Sequence, residues 1–159
     1  MKLQSGQEGY SELFAQEVRR FYPLFPFVPA KVRREFTWKG YRFPNEVRVM
    51  LDLYGTNQDP REWDAPREFR PERFLTWDGS PFNFIPQGGG DHFTGHRCAG
   101  EWLTIELIKS GAEILTTDMA YDVPEQDLSI SLSRMPANVK SGFVINNVRR
   151  LRVTEGARV

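Results

Sequence analysis

Leu13, Phe14, Val18 and Phe21 recur at near-helical spacing between Ser11 and Tyr22, and Pro23 closes the run. The spacing predicts a helix over 11–22. Pro23, Pro26 and Pro29 then hold the backbone extended, since each ring fixes its own φ and removes a donor. Glu35-Phe36-Thr37-Trp38 and Tyr41-Arg42-Phe43 flank Lys39-Gly40, a hairpin signal. Val47 and Val49 continue as strand, while Met50 to Tyr54 fit either a strand or a short helix. From Asn57 to Phe93 the pattern is weakly periodic and broken by prolines. So long a stretch without regular structure is the mark of a functional loop. From Glu101 to about Thr117 helical periodicity returns, with Leu103, Leu107 and Ile114 expected as one buried stripe. Ala120–Val123 and Gly142–Val148 read as short strands joined by polar turns.

Composition narrows the function classes. The 159 residues hold 21 Lys plus Arg and 21 Asp plus Glu, a net charge of zero. That argues against a nucleic-acid or anionic-membrane partner recognised through bulk electrostatics. Arg149, Arg150, Arg152 and Arg158 make residues 149–159 a basic tail, read as a solvated end. No apolar run reaches the roughly 18 residues of a membrane span, and the N-terminal residues have no signal-peptide core. The single cysteine forms no intrachain disulfide, so a cytoplasmic location is expected.

That cysteine, Cys98, lies in Gly95-His96-Arg97-Cys98-Ala99-Gly100, between a glycine-rich loop and a helix. Cationic neighbours and a helix N-terminus both favour the thiolate. A cysteine phosphatase would need an arginine six positions on, where Thr104 stands. A zinc site drawing on His92, His96 and Cys98 would need a fourth ligand, Asp91 or a remote group. A Cys/His nucleophile or peroxide-reducing thiol, an inert buried thiol and a haem thiolate complete the set. Gly88, Gly89, Gly90, Gly95 and Gly100 suit the last, because small residues let backbone lie against a flat macrocycle.

Two further constellations bear on the choice. Glu17 and Arg20 stand three apart on one face of the first helix. Downstream, Phe69-x-Pro71-x-Arg73-Phe74 lies in the proline-rich stretch. In this order the segments resemble the C-terminal part of the cytochrome P-450 family. Glu17-x-x-Arg20 resembles its helix K pair, Phe69 to Phe74 its meander, the Cys98 segment its haem-ligand loop and the next helix its helix L. Pro86-Gln87-Gly88-Gly89-Gly90, Leu51 to Asn57 and Tyr121 to Gln126 are similar to the fatty-acid peroxygenase branch. Two departures from most of the family stand in the loop: Asp91 replaces its phenylalanine and Thr94 its glycine. Phe93 is then the nearest aromatic candidate to shield the sulfur.

The resemblance implies a mainly α fold with small β-sheets (α+β). It makes residues 1–159 a single partial domain: helix K at 10–22, meander and glycine-rich loop at 57–93, cysteine loop and helix L at 94–117. It implies haem b (iron protoporphyrin IX) with Cys98 as the axial iron ligand and catalytic thiolate. His96, then Arg97 and Gln87, would contact the propionates. Glu17, Arg20 and Arg73 would form a structural network. Pro26, Phe27 and Val28, with the turn from Pro136 to Phe143, would line the substrate channel. The activity implied is hydroxylation or decarboxylation of a long-chain fatty acid with hydrogen peroxide as co-substrate and no redox partner. An N-terminal half of the same fold, with the arginine that binds the substrate carboxylate, is expected as a missing partner. The rivals are a reductase-dependent monooxygenase and a truncated, non-catalytic remnant.

Overall fold

The structure is a computed structural model and describes residues 8–151. Its first helix, α1, spans Glu8–Phe21, three residues earlier at its start than the periodicity indicates. Arg19 and Arg20 occupy its last turn, where cations complement the helix dipole. Phe69 of the long connecting stretch sets its ring edge-on to Phe14 and Phe21 at 5.6 and 5.7 Å.

Strand β1 (Phe27–Lys31) pairs antiparallel with β4 (Arg48–Asp52), Val28 opposite Leu51. Between them β2 (Phe36–Trp38) and β3 (Tyr41–Phe43) form the expected hairpin. Lys39 and Gly40 at its tip have φ of 47° and 79°. Two left-handed residues match the right-handed twist of the strands they join. Val47 falls just outside β4, its carbonyl accepting the Val32 N–H at 2.9 Å. The ambiguous Met50–Tyr54 segment is both structures in turn. It finishes β4 and then enters the short helix α2 (Leu53–Asn57), which Asp52 caps by accepting from the Gly55 N–H.

The weakly periodic stretch after α2 is ordered by aromatic burial. Trp63, Phe74 and Phe84 form a buried cluster with Leu13 and Trp77 packed against it. A short 3-10 turn, Pro71–Leu75, brings Phe74 into that cluster. The indole N–H groups of Trp63 and Trp77 donate to the carbonyl and side-chain oxygen of Asn83, so the buried Trp63 and half-buried Trp77 leave no indole donor orphaned.

Helix α3 spans Glu101–Glu113 and widens into a π-type turn over Ile114–Asp118. Leu103, Leu107 and Ile114 are 65%, 64% and 47% exposed, contrary to the buried stripe expected of them. α1 packs against α3 on another face, where Glu101 and Ile105 are buried, and no described element covers the leucines. After α3, β5 (Met119–Asp122) pairs with β8 (Asn146–Arg150), and β6 (Ile130–Ser131) pairs with β7 (Asn138–Val139). The strand expected from Gly142 starts only at Asn146, because Gly142 and Phe143 turn through φ of 77° and 56°. Arg149 and Arg150 belong to β8 and not to a free tail, whereas Arg152 and Arg158 lie outside the described residues. No helix among the described residues is long and apolar enough to cross a membrane.

Candidate functional site

Glu17, Arg20 and Arg73 meet as one network. Glu17 and Arg20 are fully buried, and the Arg20 Nε and Nη2 donate to the two Glu17 oxygens at 2.7 and 2.8 Å. Arg73, 56 residues away, reaches Glu17 through its Nε at 3.2 Å. Its remaining nitrogens donate to the carbonyls of Asp64, Ala65 and Glu68. Arg20 also donates to the carbonyls of Asn57 and Glu68 and lies over the Trp63 ring. Burial lowers the Arg73 guanidinium from its usual value, opposed by the Glu17 charge. The arginines stay tolerable in the interior because nearly every donor finds an oxygen. The connecting stretch is therefore wrapped around α1 through its own carbonyls.

Asn57 extends this order to the next segment. It is buried, and its side-chain oxygen accepts the Ile85 N–H at 2.9 Å. Ile85 leads into Pro86-Gln87-Gly88, the start of the cysteine loop. Gly88 has φ of 94°, and a Cβ there would come within 1.9 Å of the His96 carbonyl oxygen. A Cβ on Gly95 would lie 2.5 Å from the Asp91 carbonyl oxygen. The loop closes on itself only because both positions lack side chains. The Asp91 carboxylate accepts from the Phe93 and Thr94 amides and the Thr94 hydroxyl. These bonds hold its carboxyl below the usual range.

Cys98 is exposed on this loop. Its amide donates to the Gln87 carbonyl at 3.0 Å, and its own carbonyl accepts from Glu101 at 3.2 Å. Ala99 beside it and Gly95 three positions before it are exposed and small, which leaves the loop open on that side. A cysteine sulfur, a soft donor, on a glycine-lined open face would fit a planar iron macrocycle. His96 is exposed next to it. Arg97 is half-buried and bidentate on Glu101, with Nε at 3.0 Å and Nη2 at 2.7 Å. The Gln87 side chain is engaged with Arg19 and Thr104.

Other candidates are placed apart. Phe93 is 93% exposed, with its ring centre 6.4 Å from that of His92. His92 lies against Trp102 at 3.8 Å between ring centres, its Nε2 buried and without a hydrogen-bond partner. Among the described residues no three His, Cys, Asp or Glu side chains converge as metal ligands. Pro26 is buried and its carbonyl accepts from Leu53 and Tyr54, while Val28 is exposed on β1. Neither lines the apolar cavity of about 360 Å³ between α1, α3 and the β6–β7 turn. Its wall includes Val18, Tyr22, Leu24, Ile108 and Val139, so part of the 136–143 turn does face a cavity.

Arg19 and Glu101, which no local pattern singles out, are buried partners across α1 and α3. Burial works against the Glu101 charge, but bonds from Arg97 and Arg19 outweigh it and hold the carboxyl below its usual value. Burial lowers the Arg19 guanidinium, with Glu101 opposing.

The site thus combines a buried Glu-Arg-Arg network with an exposed cysteine on a glycine-closed loop. The family model described as cytochrome P-450 matches residues 9–136, and the chain belongs to that family. A probable (S)-N-methylcoclaurine 3'-hydroxylase isozyme of Coptis japonica is 28% identical over 94% of this chain and 30% of its own length. Rabbit (Oryctolagus cuniculus) cytochrome P-450 1A2 is 40% identical over 72% of this chain and 23% of its own. Among solved structures, a cytochrome P-450SP alpha variant superposes with a TM-score of 0.86 at 56% identity, over 92% of this chain and 36% of that one. Ligand-free cytochrome P-450 OleT gives 0.84 at 51% identity, over 96% and 36%. The chain thus spans about a third of the length of such relatives.

Proposed function

We propose that this chain is the haem-ligating portion of a peroxide-dependent fatty-acid hydroxylase or decarboxylase. The observation that carries the reading is the 56% and 51% identity to P-450SP alpha and OleT over more than nine-tenths of this chain, against 28% for the Coptis hydroxylase. One OleT variant is a complex with arachidonic acid, a long-chain fatty acid, which supports that substrate class.

Cys98 would hold the iron of haem b through its sulfur. The exposed His96 binds a propionate, and Arg97 assists through the Nη1 that its Glu101 pairing leaves over. Gln87 acts through its carbonyl on the Cys98 amide. Glu17, Arg20 and Arg73 keep the loop's foundation rigid. A thiolate ligand pushes electron density onto iron and so favours O–O cleavage. Hydrogen peroxide brings both the oxygen atom and the oxidising equivalents, so hydroxylation of a C–H bond yields alcohol and water without a reductase.

The test is turnover of a long-chain fatty acid by the haem-loaded protein with peroxide alone, read as hydroxylated acid or terminal alkene. Product formed without reductase supports the reading. Product that appears only with a reductase system favours the second reading, a redox-partner monooxygenase, which the alignment with the Coptis hydroxylase supports. No product under either condition leaves the non-catalytic remnant.

A further inference from the structure

Arg19 precedes Arg20 by one residue yet serves a different part of the fold. Its guanidinium is buried, and each of its three nitrogens has a partner. Nε donates to the Gln87 side-chain oxygen at 3.1 Å, Nη1 to Gln16, and Nη2 to Glu101. Gln87 and Glu101 are the two groups that bracket Cys98. The Gln87 carbonyl accepts the Cys98 N–H, and the Glu101 N–H donates to the Cys98 carbonyl. The Gln87 amide nitrogen donates onward to Thr104, whose hydroxyl donates to the Gly100 carbonyl at 3.0 Å. Glu101 also receives Arg97, the residue just before the cysteine. The ties of Arg97, Cys98 and Glu101 therefore lead within two bonds, and that of the Thr104 hydroxyl to Gly100 within three, to one side chain on α1.

We propose that Arg19, Gln87 and Glu101 are positioning residues that fix the direction of the Cys98 sulfur from both flanks of its loop. The assignment rests on Cys98 being the iron ligand. A flexible loop would hold the backbone in several arrangements, and only some would present the sulfur to iron. Arg19 removes that freedom because a planar guanidinium with three engaged nitrogens has one orientation. Lysine, a point donor, cannot serve Gln87 and Glu101 in the same fixed plane. The Glu17 network is distinct in reach: it ties the 64–73 stretch to α1 and touches no atom of the cysteine turn.

A structural role and a positioning role separate in a double variant. Arg19→Met leaves Glu101 buried with one cation fewer and destabilises the fold. Adding Glu101→Leu removes the buried charge, so the melting temperature recovers. The holoprotein is measured in three forms, wild type, Arg19→Met and Arg19→Met/Glu101→Leu, by the ferrous–carbon monoxide spectrum, melting temperature and amide exchange at Cys98. The expected result is a wild type with the red-shifted thiolate band. Both variants lose that band to the unshifted form and exchange the Cys98 amide faster, although the double variant melts near wild type. A double variant that regains the red-shifted band along with its stability overturns the proposal and leaves a purely structural ion pair. Retention of the band and of Cys98 amide protection in Arg19→Met overturns it as well. A wild type that shows only the unshifted band instead removes the Cys98 ligand reading on which the proposal stands.

Discussion

The amide of Cys98 donates to the carbonyl of Gln87 at 3.0 Å, so the two ends of the glycine-rich loop are joined beside the sulfur. Gly88 makes that closure possible. Its φ of 94° and the 1.9 Å approach of its absent Cβ to the His96 carbonyl leave no room for alanine. Gly88→Ala is expected to cost at least about 1–3 kcal/mol in backbone strain and to lower haem incorporation. Haem absorbance per protein and urea denaturation check both effects.

Cys98→Ala removes the only thiol in the chain. The red-shifted ferrous–carbon monoxide band is expected to vanish, whatever haem is still retained. A band that survives the substitution rules out Cys98 as the ligand.

Glu17 is buried between two arginines, whereas Glu35 and Arg42 pair at 2.6 Å on an exposed hairpin. Glu17→Ala leaves two guanidiniums without a counter-charge, and about 3–5 kcal/mol of stability is expected to be lost. Glu35→Ala is expected to cost no more than about 1 kcal/mol, because water screens the exposed pair. Denaturant midpoints of the two variants, compared at equal slope, decide the point.

Asp59 illustrates a pH dependence without much stability attached. A side-chain hydrogen bond from Arg61, then the Arg61 amide, depress its carboxyl to about 2. A depressed carboxyl contributes above its ordinary pKa, and the contribution fades as pH falls through the folded value. The Asp59–Arg61 contact is therefore expected to be intact from neutrality down past pH 3.8, the ordinary value, and to fade towards about 2. Carbon-detected NMR titration reads it directly, and Arg61→Ala should return the carboxyl towards its ordinary value.

Ile105 and Leu107 sit two residues apart on α3 with opposite environments, 8% and 64% exposed. In the 159-residue chain Ile105→Ala is expected to cost about 2–5 kcal/mol, and Leu107→Ala about 0.5 kcal/mol or less. Equal costs, measured by chemical denaturation, would mean that the leucine face is covered in solution.

Much of the chain was legible before folding because its determinants are local. Lys39-Gly40 specifies a two-residue turn through the φ values its residues tolerate, and the hairpin follows. Glu17 and Arg20 share a helix face by spacing alone. Cys98 stands out through its immediate neighbours, and glycines on either side announce a backbone that must pass close to itself. Those features carried the family resemblance, which the match over residues 9–136 supports.

What folding alone decided concerns partners far apart in the chain. Arg19 finds Glu101 across 82 residues, and Asn57 finds Ile85 across 28. Neither pair leaves a periodic trace, since a hydrogen bond between remote segments depends on where both are carried. The leucines of α3 fail in the same way. Periodicity reports that a helix has an apolar face, but burial depends on what packs there, and α1 lies on the Glu101 and Ile105 face instead. The sequence by itself determined the hairpin turn, the shared helix face of Glu17 and Arg20 and the glycine setting of Cys98, because each is set within a few residues. Only the tertiary structure decided which buried charges meet behind that cysteine, because charge pairing is settled by distance in space and not along the chain.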